Sequence, residues 1–263
     1  MALIDPVLLK SRLGSLSGRF DVDALDECDS TSSELMRRAD GGAPVGTVIV
    51  ADRQRAGRGR RGRQWLSSPE DGLTFSLLWR FPGNASRLSG LSLAVGLGLA
   101  MALEKLGAAG VRLKWPNDVL LQSGDQFAKL AGILIELASD RRGTQVIIGI
   151  GLNLEVPDGD LAQPAAGLNQ ACPQPPERHA VLAAILVSLA GVLDSFAVDG
   201  FAGQMNAWQR YHAWQGLQVA VLGDGDSPLY GRCRGVDDDG SLLLETGDGI
   251  ERVLSGDVSL RRA

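Results

Sequence analysis

An arginine-rich tract restricts how this chain can fold more than any other feature of the sequence. Six arginines occur within the eleven residues from Arg53 to Arg63, between two apolar runs, Thr47–Ala51 and Leu73–Phe81, that are typical of buried strands. A loop between core strands is held on a rigid scaffold, where loops commonly carry functional sites. Its glycines allow backbone N–H groups to approach a ligand, and guanidinium groups bind phosphate or carboxylate through paired hydrogen bonds. The tract therefore predicts an anion-binding loop that stays mobile until the anion arrives.

The remaining composition excludes several classes of protein. The chain has 263 residues, enough for one medium domain and a small second one. Its 31 acidic and 26 basic residues give a formal charge of −5, which argues against a general nucleic-acid-coating protein. Three scattered cysteines (Cys28, Cys172 and Cys233) form no disulfide framework, and two histidines provide no zinc-ligand spacing. We therefore expect a cytoplasmic protein with no structural metal.

The sequence contains no recognisable export or membrane signal. The N-terminus carries an acidic residue, Asp5, and only a short apolar run. The most apolar stretch, Leu91–Leu103, is about 13 residues long, whereas a membrane span needs about 20. We therefore expect a buried helix at this stretch and no membrane partner.

The order of strand and helix patterns predicts an α+β fold. Strands are predicted at Leu25–Cys28, Thr47–Ala51, Leu73–Phe81, Val111–Lys114, Val119–Leu121, Lys129–Leu137 and Thr144–Ile150. Helices are predicted at Ser33–Ala39, Arg87–Leu106, Arg178–Val198 and Phe201–Tyr211. After Gly216, short strands alternate with Gly/Asp turns, which is typical of a small barrel. We expect a mixed sheet with helices packed on one face in residues 1–215, and an SH3-like β-barrel in residues 216–263.

Three further motifs carry polar groups at the ends of predicted strands. Lys114–Asp118 (Lys-Trp-Pro-Asn-Asp) would present an amide and a carboxylate on a Pro-fixed turn, although Asn and Asp after Pro are often only turn residues. Lys129 enters an apolar strand, where it either points inward and needs an anionic partner or protects a sheet edge. Gly149–Asn153 (Gly-Ile-Gly-Leu-Asn) lacks the third glycine of a dinucleotide fingerprint. It predicts a strand end that a ligand can approach closely, with Asn153 as a hydrogen-bonding lid.

Together these motifs closely resemble those of the biotin protein ligases, the biotin–[acetyl-CoA-carboxylase] ligases. The shared order is Asp-Ser-Thr, Gln-x-Ala-Gly-Arg-Gly-Arg-Arg-Gly-Arg-x-Trp, Lys-Trp-Pro-Asn-Asp, Lys-Leu-Ala-Gly-Ile-Leu and Gly-x-Gly-x-Asn. The resemblance runs from about Leu25 to the C-terminus. It implies a class II synthetase-like catalytic domain that joins biotin to ATP, giving biotinyl-5′-AMP and pyrophosphate. The family then transfers biotin to one lysine of a biotin carboxyl carrier domain.

The resemblance also implies roles for individual residues. The biotin-binding residues would be Ser30, Thr31, Ser32, Gln54, Arg58, Gly59, Arg60 and Lys129. The residues binding ATP or the adenylate would be Arg58, Arg60, Arg61, Trp65, Asn117, Lys129, Asn153 and Arg234. The catalytic residues would be Lys129, Arg60 and Asp118, and no protein metal site is implied. Ser32 departs from the family, since many members have Asn there, which puts the strength of its contact with the ureido ring in question.

The chemistry of adenylation fits these assignments. A carboxylate attacking an α-phosphate brings two anions together, and cations at Arg58, Arg60 and Lys129 with a Mg²⁺ ion would offset that repulsion. Asp118 is the candidate to orient or deprotonate the acceptor lysine; a Mg²⁺ or turn-capping role is the alternative.

The sequence also suggests which partners to expect. Only about 24 residues precede the first predicted strand, fewer than a DNA-binding winged helix needs, so we expect no specific DNA binding. A homodimer is possible, because relatives pair their sheets side by side and Thr144–Ile150 could serve as the edge.

Two other functions remain open. One is a lipoate or octanoate ligase, although those enzymes usually lack the Arg-Gly-Arg-Arg-Gly tract, and the other is an RNA-binding protein that uses the arginine-rich loop.

Overall fold

A mixed sheet and a smaller antiparallel sheet form the framework of the protein. The computed structural model describes residues 2–66, 68–158, 163–223, 227–256 and 258–262. The strands of the first sheet are β1 (Asp21–Cys28), β2 (Thr47–Gln54), β3 (Gly72–Phe81), β4 (Val111–Lys114), β5 (Asp118–Ser123), β6 (Gln126–Asp140) and β7 (Gly143–Asn153). They lie in the order β1-β2-β3-β7-β6-β5-β4, and among these strands β1 and β2 pair in parallel while the other neighbours pair antiparallel. This arrangement agrees with the predicted α+β class.

Two long helices cover one face of the mixed sheet. The helices of the described chain are α1 (Pro6–Leu13), α2 (Thr31–Asp40), α3 (Leu91–Lys105), α4 (Arg178–Asp199) and α5 (Met205–Tyr211). Helix α3 is buried almost all round, as predicted for Leu91–Leu103. Gly98 lets it approach α4 closely, because a Cβ there would lie 3.2 Å from Leu189. Two helical stretches, Ala85–Lys105 and Arg178–Asp199, are apolar and long enough to span a membrane. In the most apolar 18 residues of each stretch, 72% and 50% respectively are buried inside the protein.

Helix α2 corrects the expectation that the helices pack on a single face. Its Leu35 packs with Ile49 of β2 and Leu78 of β3 in a second, smaller cluster on the opposite side of the sheet. Side chains alternate along a strand, so the neighbours of Ile49 and Leu78 point into the larger core. The short α2 covers only part of its face and leaves the rest open.

The position of β7 also corrects the sequence interpretation. Residues 144–150 are paired on one side with β3 and on the other with β6. A strand with both sides occupied offers no free N–H and C=O groups to another chain. The interpretation of Thr144–Ile150 as a dimer edge is therefore wrong, since along the described residues β1 and β4 stand at the ends of the sheet order.

The second sheet is antiparallel and follows Gly216. Its strands are β8 (Gln218–Leu222), β9 (Leu229–Val236), β10 (Leu242–Thr246), β11 (Gly249–Val253) and β12 (Ser259–Arg262), in the order β11-β10-β9-β8-β12. The first four match the short strands that the sequence predicts at Gln218–Leu222, Leu229–Val236, Leu242–Glu245 and Glu251–Leu254, and β12 was not predicted. The sheet is joined to the first one by the fully buried Trp115, whose indole Nε1 donates a 3.0 Å hydrogen bond to the carbonyl oxygen of Gly240. The placement of a domain boundary at residue 216 stays a prediction.

Candidate active site

A cavity of about 580 Å³ lies on the face of the mixed sheet that α2 leaves partly open. Its floor is formed by β3, β6 and β7, where Thr74, Gly132, Gly149 and Gly151 line it. In β7 the two glycines lie on the same side as Ile147 of the small cluster, because side chains alternate along a strand. Its walls are the start of α2, the arginine-rich loop, the Lys114–Asp118 turn and part of β12. Three of these four walls were singled out in the sequence, and the structure brings them together at one place.

The cavity carries a strong excess of positive charge. Of the described residues that line it, one is acidic, Asp118, and seven are basic: Arg58, Arg60, Arg61, Arg63, Lys114, Lys129 and Arg261. Cations that converge in a partly closed cleft raise the local concentration of anionic ligands. The site is therefore suited to a ligand with several negative charges.

One buried carboxylate holds two of these cations. Asp118 Oδ1 lies 2.7 Å from Lys129 Nζ, and Asp118 Oδ2 lies 3.2 Å from Lys114 Nζ. Burial opposes ionisation of Asp118, but the attraction of Lys129 and Lys114 outweighs it and lowers the pKa of the carboxyl group. Burial lowers the pKa of Lys114, and the nearby Asp118 offsets this only in part. In the structure Lys129 points inward to an anionic partner, which resolves the two alternatives left open for it.

The arginine-rich loop folds back on itself and then reaches across the cavity. Gly59 N–H donates to the Arg63 carbonyl at 2.7 Å, so the loop forms a tight turn. Arg60 donates to Asn117 Oδ1 at 3.1 Å and to the carbonyl oxygens of Ser255 and Gly256, which lie between β11 and β12 of the second sheet. Arg60 thus links the loop, the Lys114–Asp118 turn and the C-terminal sheet.

Arg58 is held at another point of the rim. It donates to Ser33 Oγ at 3.1 Å and forms an ion pair with Glu136 of β6. The arginine-rich loop is therefore held on one side by residues of α2 and β6, through Arg58, and on the other by turn residues, through Arg60.

The motif glycines make room for Trp65. A Cβ at Gly151 would lie 2.2 Å from the Trp65 ring, and a Cβ at Gly132 would lie 3.0 Å from it. The indole therefore lies flat against β6 and β7, with Lys129 Nζ 5.5 Å from its ring centroid. The sequence predicted close approach of a ligand to these glycines; the structure brings a side chain of the same protein there.

A row of hydroxyl groups forms the opposite end of the cavity. Ser30, Thr31 and Ser32 are buried at the start of α2 and line the cavity together with Gln54 at the end of β2. Thr31 donates its backbone N–H to Gln54 Oε1 at 2.7 Å. Gly149 is needed here as well, because a Cβ would lie 2.6 Å from Ser32 Oγ. This end of the cavity is uncharged and suits a neutral polar ring.

Asn117 and Asn153 both tie backbone segments together at the rim. Asn117 donates to the Ile133 carbonyl oxygen at 3.0 Å, while Asn153 donates to the carbonyl oxygens of Lys129 and Ala166. Both residues line the cavity. The two asparagines therefore fix the position of the strands that carry Asp118 and Lys129.

The structure does not bring Arg234 to this cavity, which corrects the expectation from the sequence. Arg234 pairs with Glu245 at 3.0 Å on the exposed side of β9. Its neighbour Cys233 points into the core, and alternation therefore turns Arg234 to solvent. The basic residue that the second sheet contributes is Arg261 of β12.

Arg63 and Lys114 also line the cavity, although the motifs that contain them assigned neither an individual role. Lys114 had a usable signal, since it is a lysine directly before a turn that carries two polar residues. Strand β12, which carries Arg261, was not predicted, so the direction of the Arg261 side chain could not be predicted either.

Comparison with known proteins agrees with this geometry. Residues 29–153 match the model of the biotin/lipoate A/B protein ligase family, and residues 216–261 match that of the biotin protein ligase C-terminal domain. The bifunctional ligase/repressor BirA of Escherichia coli is 35% identical over 274 residues, which cover 100% of this chain and 81% of BirA. The biotin–[acetyl-CoA-carboxylase] ligase of Paracoccus denitrificans is 34% identical, over 89% of this chain and 98% of that protein.

A solved structure shows the same likeness in three dimensions. The biotin protein ligase of Aquifex aeolicus in complex with biotin and ATP superimposes with a TM-score of 0.77 at 34% identity, and the match covers 92% of this chain and 99% of that one. Identity, coverage and shape thus agree over both sheets. The chain belongs to the biotin protein ligase family.

Proposed function

We propose that this protein is an ATP-dependent ligase that activates biotin as biotinyl-5′-AMP and transfers it to a lysine of a biotin carboxyl carrier domain. The observation that carries the proposal is a single cavity with a neutral hydroxyl-lined end and a cationic end, joined at Lys129. Biotin has the matching shape, with a neutral polar ring system and an anionic carboxylate on a short chain. ATP supplies the further negative charges that the cationic end can bind.

The hydroxyl row supports the binding of biotin in this cavity. The ring system would bind at Ser30, Thr31, Ser32 and Gln54, next to the Arg58–Arg60 segment that includes Gly59. Its carboxylate would then point along the floor toward Lys129, whose side chain is partly exposed in the cavity. Lys129 is therefore the group that meets the reacting carboxylate.

The nucleotide would occupy the remaining, cationic part. Arg60, Arg61 and Arg261 face this part from the loop and from β12, and guanidinium groups bind phosphates through paired hydrogen bonds. Trp65 offers an aromatic surface at the floor, and Asn117 and Asn153 line the rim. We place Arg261 in the nucleotide site in place of Arg234.

The chemistry proceeds in two displacements. A biotin carboxylate oxygen attacks the α-phosphorus of ATP, a new C–O–P bond forms, and pyrophosphate leaves. The amine of the acceptor lysine, having lost a proton, then attacks the biotinyl carbonyl, so that an amide forms and AMP leaves. Lys129 and Arg60 stabilise the charge that develops on the phosphate, because they are fixed before the reaction begins.

Mg²⁺ would accompany the nucleotide. Mg²⁺ in such sites is usually held by one or two carboxylates together with substrate phosphates. Among the described residues lining the cavity, Asp118 is the carboxylate, and both of its oxygens already face lysines. The residues present therefore fit an ion carried by the triphosphate, where it would neutralise phosphate charge.

Asp118 would position the acceptor lysine. Its carboxylate already binds two ammonium groups, so a third lysine from the carrier domain could replace Lys129 when Lys129 turns to the adenylate. The lowered pKa of Asp118 favours orientation of the amine over proton removal.

We also place the enzyme in the cytoplasm, in agreement with its three free, buried cysteines.

Biotin-dependent exchange between ATP and labelled pyrophosphate tests the function. We expect exchange with biotin and magnesium, and none when biotin is left out. Exchange with lipoate or octanoate but not with biotin would replace this function by the second ligase activity. If none of these acids supports exchange, the ligase function is wrong, and salt-dependent RNA binding becomes the function to measure.

Arg60→Gly is predicted to release the adenylate. Without Arg60, the loop loses its hydrogen bonds to Asn117 and to the Ser255 and Gly256 carbonyls, so the cavity opens to water. We expect free biotinyl-AMP in solution and biotin on lysines of a bystander protein, measured by avidin blotting. Arg55→Gly, at an exposed position that pairs with Glu27, is the matched control. Unchanged selectivity for the carrier in Arg60→Gly would contradict the role.

Gly151→Ala is predicted to weaken substrate binding by displacing Trp65. The new methyl group would lie 2.2 Å from the indole, so the ring must leave the floor. We expect KM for biotin or ATP to rise about tenfold, in line with the loss of roughly 1.4 kcal/mol of binding free energy. Gly191→Ala on α4 is the control, since nothing lies within 4 Å of its Cβ position. In a Trp65→Ala background Gly151→Ala should add little, and additive effects would refute the explanation.

A further inference from the structure

A buried serine behind the cavity connects the hydroxyl groups that line it. Ser76 of β3 is fully buried, with no exposed surface, and does not line the cavity itself. Its hydroxyl donates to Thr31 Oγ1 at 2.8 Å and lies 3.0 Å from Ser32 Oγ. The hydroxyls of Thr31 and Ser32, both at the start of α2, are thus joined through a residue of the sheet.

The direction of each hydrogen bond in this chain follows from its far end. Thr31 N–H can only donate, so the Gln54 side-chain atom 2.7 Å away must be the carbonyl oxygen Oε1. Oε1 carries no proton, and Thr31 Oγ1, 3.2 Å away, therefore donates its own proton to it. The amide orientation of Gln54 is thereby fixed by the backbone.

The remaining protons are then assigned in turn. Because the proton of Thr31 is used toward Gln54, Ser76 must donate to Thr31. Each serine hydroxyl has one proton. The proton of Ser76 is therefore used as well, and Ser32 must donate to Ser76. All three hydroxyl protons point along the chain toward Gln54.

This direction determines what the cavity offers a ligand. Thr31 and Ser32 line the cavity, but their protons are turned away from it toward Gln54 and Ser76. The groups they present are oxygen lone pairs, which accept hydrogen bonds from N–H donors. Gly149 lets the Ser32 hydroxyl sit against the sheet in this orientation, since a Cβ there would lie 2.6 Å from Ser32 Oγ.

We propose that Ser76 is a specificity-determining positioning residue: it holds the Ser32 proton away from the cavity, so that Ser32, together with Thr31, whose proton Gln54 holds, accepts hydrogen bonds from the N–H groups of a cyclic urea. The inference rests on the proposed function, in which the ring system of biotin binds at this end of the cavity. The ureido ring carries two N–H donors, matching two acceptors. Without Ser76 the Ser32 hydroxyl could rotate its proton into the cavity, where it would face a donor.

Ser76→Ala tests the proposal through the KM of each substrate in pyrophosphate exchange. We expect KM for biotin to rise about tenfold, since the freed Ser32 proton would face a ligand donor and the hydrogen bond that Ser32 accepts would be lost. The kcat and KM for ATP should stay within about twofold, because Ser76 does not touch the cationic end. Ser188→Ala is the matched control, as its hydroxyl donates to the Gly98 carbonyl between α3 and α4. It should change thermal stability without changing KM for biotin.

A second arm separates positioning from simple loss of packing. In a Ser32→Ala background the proton to be directed is gone, so Ser76→Ala should raise KM for biotin by less than about threefold. Ser76→Cys, which keeps a weak donor at the same place, should lie between wild type and Ser76→Ala. The same factor in both backgrounds, or KM for biotin within twofold of wild type in Ser76→Ala, overturns the inference. Absence of biotin-dependent exchange in the wild type would instead overturn the proposed function, and the inference with it.

Discussion

Replacing Lys129 by methionine will lower biotin-dependent pyrophosphate exchange by on the order of 10²–10³-fold, the effect expected when one preorganised charge is removed from a reaction between anions. The ammonium group lies at the junction of the neutral and cationic ends of the cavity, 2.7 Å from Asp118 and beside Trp65. Methionine keeps a long unbranched side chain, so the volume beside the indole is nearly preserved. The loss is therefore a loss of charge.

The fold should tolerate this change, which allows the kinetic effect to be attributed to charge. Asp118 keeps its second partner, Lys114, at 3.2 Å, so the buried carboxylate is not left alone. Lys10→Met, at an exposed position on α1, is the matched control and should leave exchange unchanged. Rates measured at saturating biotin and ATP would separate a loss in kcat from a loss in binding. Exchange within fivefold of wild type in Lys129→Met would contradict the assignment.

Asp118→Asn is expected to lower the free energy of unfolding by about 3–5 kcal/mol, the cost of breaking a buried ion pair from one side. Asparagine has nearly the same shape but no charge, and it leaves Lys114 and Lys129 facing each other without a counter-charge. Denaturant unfolding at neutral pH measures the loss. Asp194→Asn is the control, because Asp194 pairs with Arg19 at the surface, where such a pair contributes about 0–1 kcal/mol. Equal losses in the two variants would contradict the picture of a buried, charged cluster.

The pH dependence of this variant gives an independent check. Burial lowers the pKa of Lys114 in the folded wild type, and removal of Asp118 lowers it further. The unfolded chain then binds more protons than the folded chain, so the stability of the variant rises with pH. Relative to wild type, the deficit should therefore shrink as the pH rises toward the ordinary lysine pKa of about 10.4. In the wild type, the contribution of Asp118 itself is lost only in acid, as pH falls through its lowered pKa.

The catalytic effect of Asp118→Asn should fall mainly on the second step. Transfer from preformed biotinyl-AMP to a carrier domain, followed in single turnovers at low temperature, reports on that step alone. If Asp118 orients the acceptor lysine, transfer slows more than exchange does. Equal slowing of the two steps would assign Asp118 to adenylation.

The sequence predicted the strands and the motif residues well, for a physical reason. The core strands are apolar runs bounded by turn residues, and those runs are long enough to fix both type and approximate position. The motifs lie at strand ends, and the ends of β2, β4 and β7 come together once the strands pair in one sheet. The resemblance to the biotin protein ligases assigned Gln54, Asp118 and Asn153 to one site, and in the structure all three line one cavity.

Other residues of the site could not be predicted, because their roles depend on direction or on distant partners. Whether Arg234 or Arg261 faces the cavity depends on which side of a barrel strand each occupies, and β12 was too short to recognise. Ser76 lies inside an apolar run and looks like an ordinary strand residue. Its importance arises only when β3 is brought beneath α2. The expectation that the helices pack on one face of the mixed sheet failed for the same reason. The face that α2 covers depends on how the strands pair, which the sequence does not give.

The bond from Trp115 to Gly240, together with those from Arg60 to residues 255 and 256, bears on how such an enzyme can change over generations. The two sheets line the same cavity, and the smaller sheet supplies part of its wall and one of its basic residues, Arg261. Exchanging the C-terminal sheet for that of a distant relative would then disturb catalysis before it disturbed folding. A substitution in either sheet can therefore alter the site, and selection on the reaction acts on residues of both at once.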